Sequence, residues 1–429
     1  MKKKLSAAAA AILALAMVLM LAGCGDTANT DKDTAQSSVI ADHGTSETSA
    51  SSPEPSEKAG VENSTGAAAE STAETTATEE SDLFTSRDLS QTADLNDATS
   101  IAVSDSETVT ITEAGVYILT GSADDAMVVI DAGDEDKVQL VLDGVSITNA
   151  HQPCILVENA DKVFITSSEG SENALTVSGT FTGDEDAVIF SRDTLVLNGL
   201  GTVTLSSTND GIRSNDALKL TGGTWNVTAE DTAMKAHNSI CACGGTYALT
   251  AVNDGLHAEN NDDDSVGAII IEGGTFTIQA EDDGVHATTS ATVSGGDLTI
   301  TAAEGIEATQ VIINDGTVDI KASDDGINAG QKSDALSIRI EINGGEVSIV
   351  MGAGDTDAVD SNGDLVITGG TIDISAQSPF DYDGNCSFTG GTVIVNGAQV
   401  SSITGQMMGG GPMGGGMPVG QPGGFGRRP

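Results

Sequence analysis

Residues 86–404 are predicted to form an all-β parallel β-helix, a solenoid. Three features lead there: a recurring turn-plus-strand unit, apolar–polar alternation after each turn, and no sustained 3.6-residue period. The unit reads Gly222-Gly223-Thr224, Gly244-Gly245-Thr246, Gly273-Gly274-Thr275 and Gly295-Gly296-Asp297. It continues as Asp315-Gly316-Thr317, Gly344-Gly345-Glu346, Gly369-Gly370-Thr371 and Gly390-Gly391-Thr392, at intervals of 20 to 29 residues. One solenoid coil has this length, whereas propeller repeats need about 40 residues or more.

The inward positions are legible within each strand. One column is Trp225, Tyr247, Phe276, Leu298, Val318, Val347, Ile372 and Val393; two residues on come Val227, Leu249, Ile278, Ile300, Ile320, Ile349, Ile374 and Val395. A single coil cannot bury such a column, but stacked coils can. Residues 86–200 repeat less regularly, with strands expected at 138–142, 145–147, 163–165 and 195–197. The segment 116–120 is expected to close the first coil against edge pairing.

The termini have a different character. Three lysines, an apolar run over 5–21 and Leu21-Ala22-Gly23-Cys24 read as a secretory signal, residues 1–23, and resemble a bacterial lipobox with Cys24 as the lipidated residue. Residues 24–85 are rich in Ser, Thr, Ala and acids, which predicts a disordered tether. Residues 405–429, rich in Gly and Met, are predicted to be a disordered tail. The expected location is the outer face of a bacterial cell membrane, touched only through the lipid. Cys154, Cys241, Cys243 and Cys386 show no disulfide or zinc spacing and read as small buried residues.

The formal charge is −47, which repels nucleic acid and anionic lipid and invites cations. Much of it recurs in a second motif. Asn209-Asp210-Gly211-Ile212-Arg213 is followed by Asp231-Thr232-Ala233-Met234-Lys235, Asn253-Asp254-Gly255-Leu256-His257 and Asp282-Asp283-Gly284-Val285-His286. Later members are Glu304-Gly305-Ile306-Glu307, Asp325-Gly326-Ile327-Asn328, Asp357-Ala358-Val359-Asp360 and the segment around Asp381. Stacked by coil, the acids form one column from Asp186 through Asp357, and the residues three further on, Arg213 to Asp381, form another. At a coil spacing of about 4.8 Å, a pair of carboxylates costs about 3 kcal/mol at an effective dielectric of about 20. Calcium, which takes oxygen ligands only, suits that crowding. The expected ligands are Asp254, Asp283, Glu304, Glu307, Asp325, Asn328, Asp357, Asp360 and Asp381. Asn-Gly and Asp-Gly are also ordinary turn formers, which offers a purely structural account of any one of them. His257 and His286 are expected as exposed turn residues able to bond sugar hydroxyls.

The runs Asp324-Asp325-Gly326-Ile327-Asn328-Ala329, Glu304-Gly305-Ile306-Glu307, Asp381-Tyr382-Asp383-Gly384 and Val157-Glu158-Asn159 resemble the bacterial carbohydrate-binding domain family. That resemblance implies a single-stranded right-handed parallel β-helix like that of polysaccharide lyases, with bound calcium and affinity for plant cell-wall polysaccharide. The expected function is calcium-dependent binding of a uronic-acid polymer such as pectin by a monomeric surface lipoprotein. Trp225, Tyr247 and Phe276 fall on the inward column, leaving Tyr382 as the one aromatic expected at the ligand, so stacking on a flat glucan is disfavoured. Two alternatives stay open: a calcium-dependent lyase with Lys235 as base, and a structural surface protein or adhesin.

Overall fold

A computed structural model describes residues 83–353 and 356–404 of the chain. Among these residues there are thirty strands and no helix. Every strand pairing is parallel except the last. The expected all-β class therefore holds. The signal segment 1–23, Cys24, most of the expected tether and the tail 405–429 lie outside the described residues. No helix among the described residues is long and apolar enough to cross a membrane.

Each repeat supplies three strand segments, and each segment pairs with its counterpart in the next repeat. Three ladders result. The first joins Leu195, Leu218, Ile240, Ile269, Ala291, Val311, Ile340 and Leu365 in register. The second joins Trp225, Tyr247, Phe276, Leu298, Val318, Val347, Ile372 and Val393, the column expected from the alternation. The third joins Ile212, Met234, Leu256, Val285, Ile306, Ile327 and Val359. All three feed one continuous apolar core. Trp225 and Phe276 are fully buried, and the Tyr247 and Phe276 rings stack at 4.7 Å. Of the cysteines, Cys154 and Cys241 are buried while Cys243 and Cys386 are half-buried; all four are free thiols.

Two glycine positions are required for different reasons. The second glycine of the turn unit, as at Gly274, has φ of 102°, a left-handed conformation that side chains resist. The glycine after the acid is not of that kind. A Cβ on Gly255 would lie 2.3 Å from Ile278 Cγ2 and 2.6 Å from the Gly284 carbonyl oxygen. Close approach of the neighbouring repeat, rather than turn geometry, therefore accounts for the Asp-Gly pattern there.

Both ends of the stack differ from expectation. The segment 116–120 lies within Gly115–Asp124, which pairs with Thr99–Ala102, so a further repeat precedes the expected closing segment. At the other end Thr392–Val395 folds back on Ala398–Val400 in an antiparallel hairpin. Asn396 (φ 52°) and Gly397 (φ 78°) form its two-residue turn, both left-handed as such a hairpin demands.

Residues 83–92, at the edge of the expected tether, lie across the outer face of the first ladder. The Asp88 carboxylate is fully buried and takes Lys162 at 3.0 Å and Lys219 at 3.1 Å. Arg87 covers the Phe164 ring at 4.5 Å. The Gln91 side chain accepts from the Gly199 N–H and donates to the Thr221 carbonyl, each at 2.9 Å. Gln139, Phe164, Val196 and Lys219 occupy one register position on four successive repeats, so this strap spans all four.

Candidate functional site

One row of side chains runs along the third ladder, alternating with its buried residues and facing away from the core. In register it reads Val129, Leu156, Phe190, Arg213, Lys235, His257, His286, Glu307, Asn328, Asp360 and Asp381. Its chemistry changes with position. The first members pack into a small apolar cluster. Two cations follow, then two imidazoles, then acids and an amide. Successive members are one strand spacing apart, about 4.8 Å.

The acids three residues upstream form the neighbouring column. Asp283 pairs with Glu304 as expected, but Asp210 pairs with Ala187, so Asp186 is one residue out of register. These acids are also less crowded than their sequence implies. One Asp210 oxygen accepts the Thr232 N–H at 3.2 Å, one Asp254 oxygen the Asp283 N–H at 3.1 Å, and one Asp325 oxygen the Asp357 N–H at 3.1 Å. The crowding cost expected from their spacing is corrected downward: the backbone of the next repeat relieves part of it.

In the middle of the row, carboxylates are matched by basic side chains. His257 Nδ1 lies 2.6 Å from Asp254, and its Nε2 lies 3.3 Å from Glu259. His286 Nδ1 lies 2.6 Å from Asp283 and 3.0 Å from Glu307. The two imidazoles stack, with centroids 4.6 Å apart and planes inclined by 4°. Burial works against an imidazolium at His286, but its bonds to Asp283 and Glu307 outweigh that and hold its pKa at about 10. Burial likewise opposes ionisation of Glu307, and the bonds from His286 and Lys332 overcome it, bringing the carboxyl down to about 2. Asp283 is pushed up to about 6, chiefly by burial, despite its bond to His286. Ligand atoms of Asp283, His286 and Glu307 all lie within 4.8 Å of one another, a constellation able to hold a metal ion once His286 loses its proton.

Toward the C-terminal end the matching fails. Burial pushes Glu304 up to about 7 against a hydrogen bond from Asn328, with Glu307, Asp283 and Asp325 adding repulsion. Asp325 rises to about 6, through burial first and then Asp324, Asp357 and Glu307. Asp360 rises to about 7; burial leads, and Asp325, Asp357, Asp381 and Asp383 all push the same way. The Asn328 amide donates to Glu304 at 2.9 Å and Glu307 at 3.3 Å, while its buried Oδ1 has no hydrogen-bond partner.

A family model described as carbohydrate-binding domain-containing protein matches residues 105–356 and 303–403. The chain belongs to that family. A curated relative of the same description from Acetivibrio thermocellus is 36% identical over 136 residues, which is 30% of this chain and 47% of the relative. The chain thus spans about half the length of the curated relative it matches. A solved structure described as the polysaccharide lyase-like protein from C. thermocellum, gadolinium derivative, aligns at 29% identity with a TM-score of 0.46, covering 52% of this chain and 96% of that one.

In this carbohydrate-binding domain the expected residues divide into two groups. Asp254, Asp283 and Glu307 are tied to histidines, whereas Glu304, Asp325, Asn328, Asp357, Asp360 and Asp381 gather at the acidic end. His257 is buried and His286 half-buried, both on strands with Nδ1 held, which corrects the expectation of exposed turn histidines. Tyr382 is half-buried and packs against the core, which corrects its expected exposure. Lys235 holds its expected place in the row. Lys332 was missed because it lies in an insertion, where no period points to it. That insertion touches the other long one, 259–267, through the Asp334 N–H donating to Asp264 at 2.9 Å. Lys332 bonds Glu307 at 2.6 Å and its side chain is 32% exposed. Lys332→Met is expected to cost about 1 kcal/mol in a urea titration, the scale of a pair whose lysine is partly in water and whose buried carboxylate keeps its bond to His286.

Proposed function

We propose that this chain binds an acidic polysaccharide along the row, with calcium held at its C-terminal end. Asp360 carries the reading: every charged group shifting its ionisation is another carboxylate. Asp325, Asp357, Asp360 and Asp381 would hold the ion, with Asn328 turning its unpartnered oxygen toward it and Glu304 alongside. This donor set is all oxygen, which fits calcium and disfavours softer ions. The ion would supply positive charge for sugar carboxylates. The His286 cluster fits calcium less well, since a protonated imidazole is no ligand. Burial of Trp225, Tyr247 and Phe276 favours this mode over aromatic stacking.

The finer fold belongs to the same proposal. Parallel pairing at an offset of one repeat supports a single-stranded parallel β-helix, and the strong preference of parallel crossovers for one hand supports a right-handed one. Anchoring through Cys24 at the outer membrane face, a monomeric state and preference for pectin-like polymers complete the reading. Titration with polygalacturonate in millimolar calcium and in excess chelator tests it. Binding in calcium that drops at least tenfold in chelator is the expected result, and equal binding in both rejects it.

A further inference from the structure

Each cation and imidazole of the row faces an acid position three residues upstream in its own repeat. Arg213 lies 4.0 Å from Asp210 and 2.8 Å from Asp186; His257 and His286 lie 2.6 Å from Asp254 and Asp283. The repeat between them breaks the rule. Thr232 stands where the acid should be, fully buried, and its hydroxyl has no hydrogen-bond partner. Lys235, three residues on and half-buried, has no ion pair or hydrogen bond among the described residues. The acid nearest it in effect, Asp210, is already engaged by the Thr232 N–H and by Arg213.

An ammonium with no direct ion pair or hydrogen bond, in a chain with 64 acidic and 17 basic residues, is an attractive point for an anion. Its row neighbours are Arg213 on one side and His257 on the other, and Arg213 also contacts His237 at 3.2 Å. Arg213 and His257 are each held by carboxylates, so Lys235 is the row cation left without such a bond, in line with the acidic end of the row.

We propose that Lys235 is an anion-binding subsite that takes the carboxylate of an acidic sugar residue in the bound chain. The proposal rests on the reading of the row as a polysaccharide site and adds a second point of attachment, independent of calcium. Thr232 is the residue that creates it, by withholding the partner every neighbouring repeat supplies. Lys235 thereby acts as a recognition residue rather than a base.

The test is isothermal titration of the full chain, in calcium, with pentagalacturonate and with its methyl ester. The wild-type protein is expected to prefer the acid. Lys235→Met should weaken pentagalacturonate binding about tenfold, the scale of one charge-assisted hydrogen bond. Thr232→Asp should do the same with Lys235 still present, because it restores the acid that neighbouring repeats carry and their fold tolerates. Lys235→Arg should bind nearly as well as wild type, and melting curves check that each variant is folded. Unchanged pentagalacturonate affinity in Lys235→Met, with wild-type binding intact, overturns the subsite and leaves the polysaccharide reading standing. Absence of wild-type binding to either ligand overturns both. An ultraviolet-absorbing unsaturated product lost in Lys235→Met would make the lysine a base and overturn the recognition role.

Discussion

In excess chelator, the melting temperature of the protein falls as pH rises from about 4 to about 7. Asp210, Asp283 and Asp325 sit near 6, and Glu304 and Asp360 near 7, all above the ordinary carboxyl range. A carboxyl with a raised folded-state pKa holds its proton more tightly in the fold than in the unfolded chain. The fold is therefore favoured below the ordinary value and loses that advantage as pH climbs through the folded value. The Glu307–His286 pair acts outside most of this window. Glu307, lowered to about 2, contributes stability above its ordinary 4.5 that is lost in stronger acid. His286, raised to about 10, contributes stability below its ordinary 6.5 that is lost in base. Calcium competes with protons for the same oxygens. Added at about 100 times its dissociation constant, it should contribute about 2.7 kcal/mol per site at pH 7 and nothing at pH 4. Calorimetric scans at both pH values check this, and a calcium effect that is absent or equal at the two would sink the proposed site.

Asp88→Ala should destabilise the fold by about 3–5 kcal/mol, the usual result of removing one partner from a buried ion pair. The carboxylate is fully buried, and the side chains of Lys162 and Lys219 are 13% and 14% exposed. Burial opposes ionisation of Asp88, yet the Thr85 N–H and the two lysines hold its pKa below the ordinary value. Its loss strands two ammonium groups against Phe164 and the strap. The loss has a ceiling: once it exceeds the docking energy of the strap, residues 83–92 detach and the lysines regain water. Guanidinium titration with limited proteolysis checks both parts, with new cleavage between residues 83 and 98 expected. A variant as stable and as protease-resistant as wild type contradicts the buried pair.

The ladders were legible because each buried position recurs at the same offset from a glycine turn. Trp225, Tyr247 and Phe276 are inward in the sequence and buried in the structure. The row from Arg213 to Asp381 was legible for the same reason, since stacking fixes register. Exposure was not. His257 and His286 look like loop residues beside Asn-Asp-Gly and Asp-Asp-Gly, but those glycines answer to close packing, so the histidines end on strands under their acids. Asn396-Gly397 is a plain hairpin signal that the nearby Gly/Met tail obscured. Asp88 was hidden by a polar stretch; the apolar Phe84 and Leu89 beside it were the available hint.

The strap also changes how the fold carries load. Strands in a stacked array hold chiefly to their immediate neighbours, so a pull at one end can peel them off singly. Asp88 and Gln91 instead tie Lys162, Gly199, Lys219 and Thr221 to one short segment. Tension entering from the N-terminal side meets several bonds at once, in shear, and the repeats beneath must yield together.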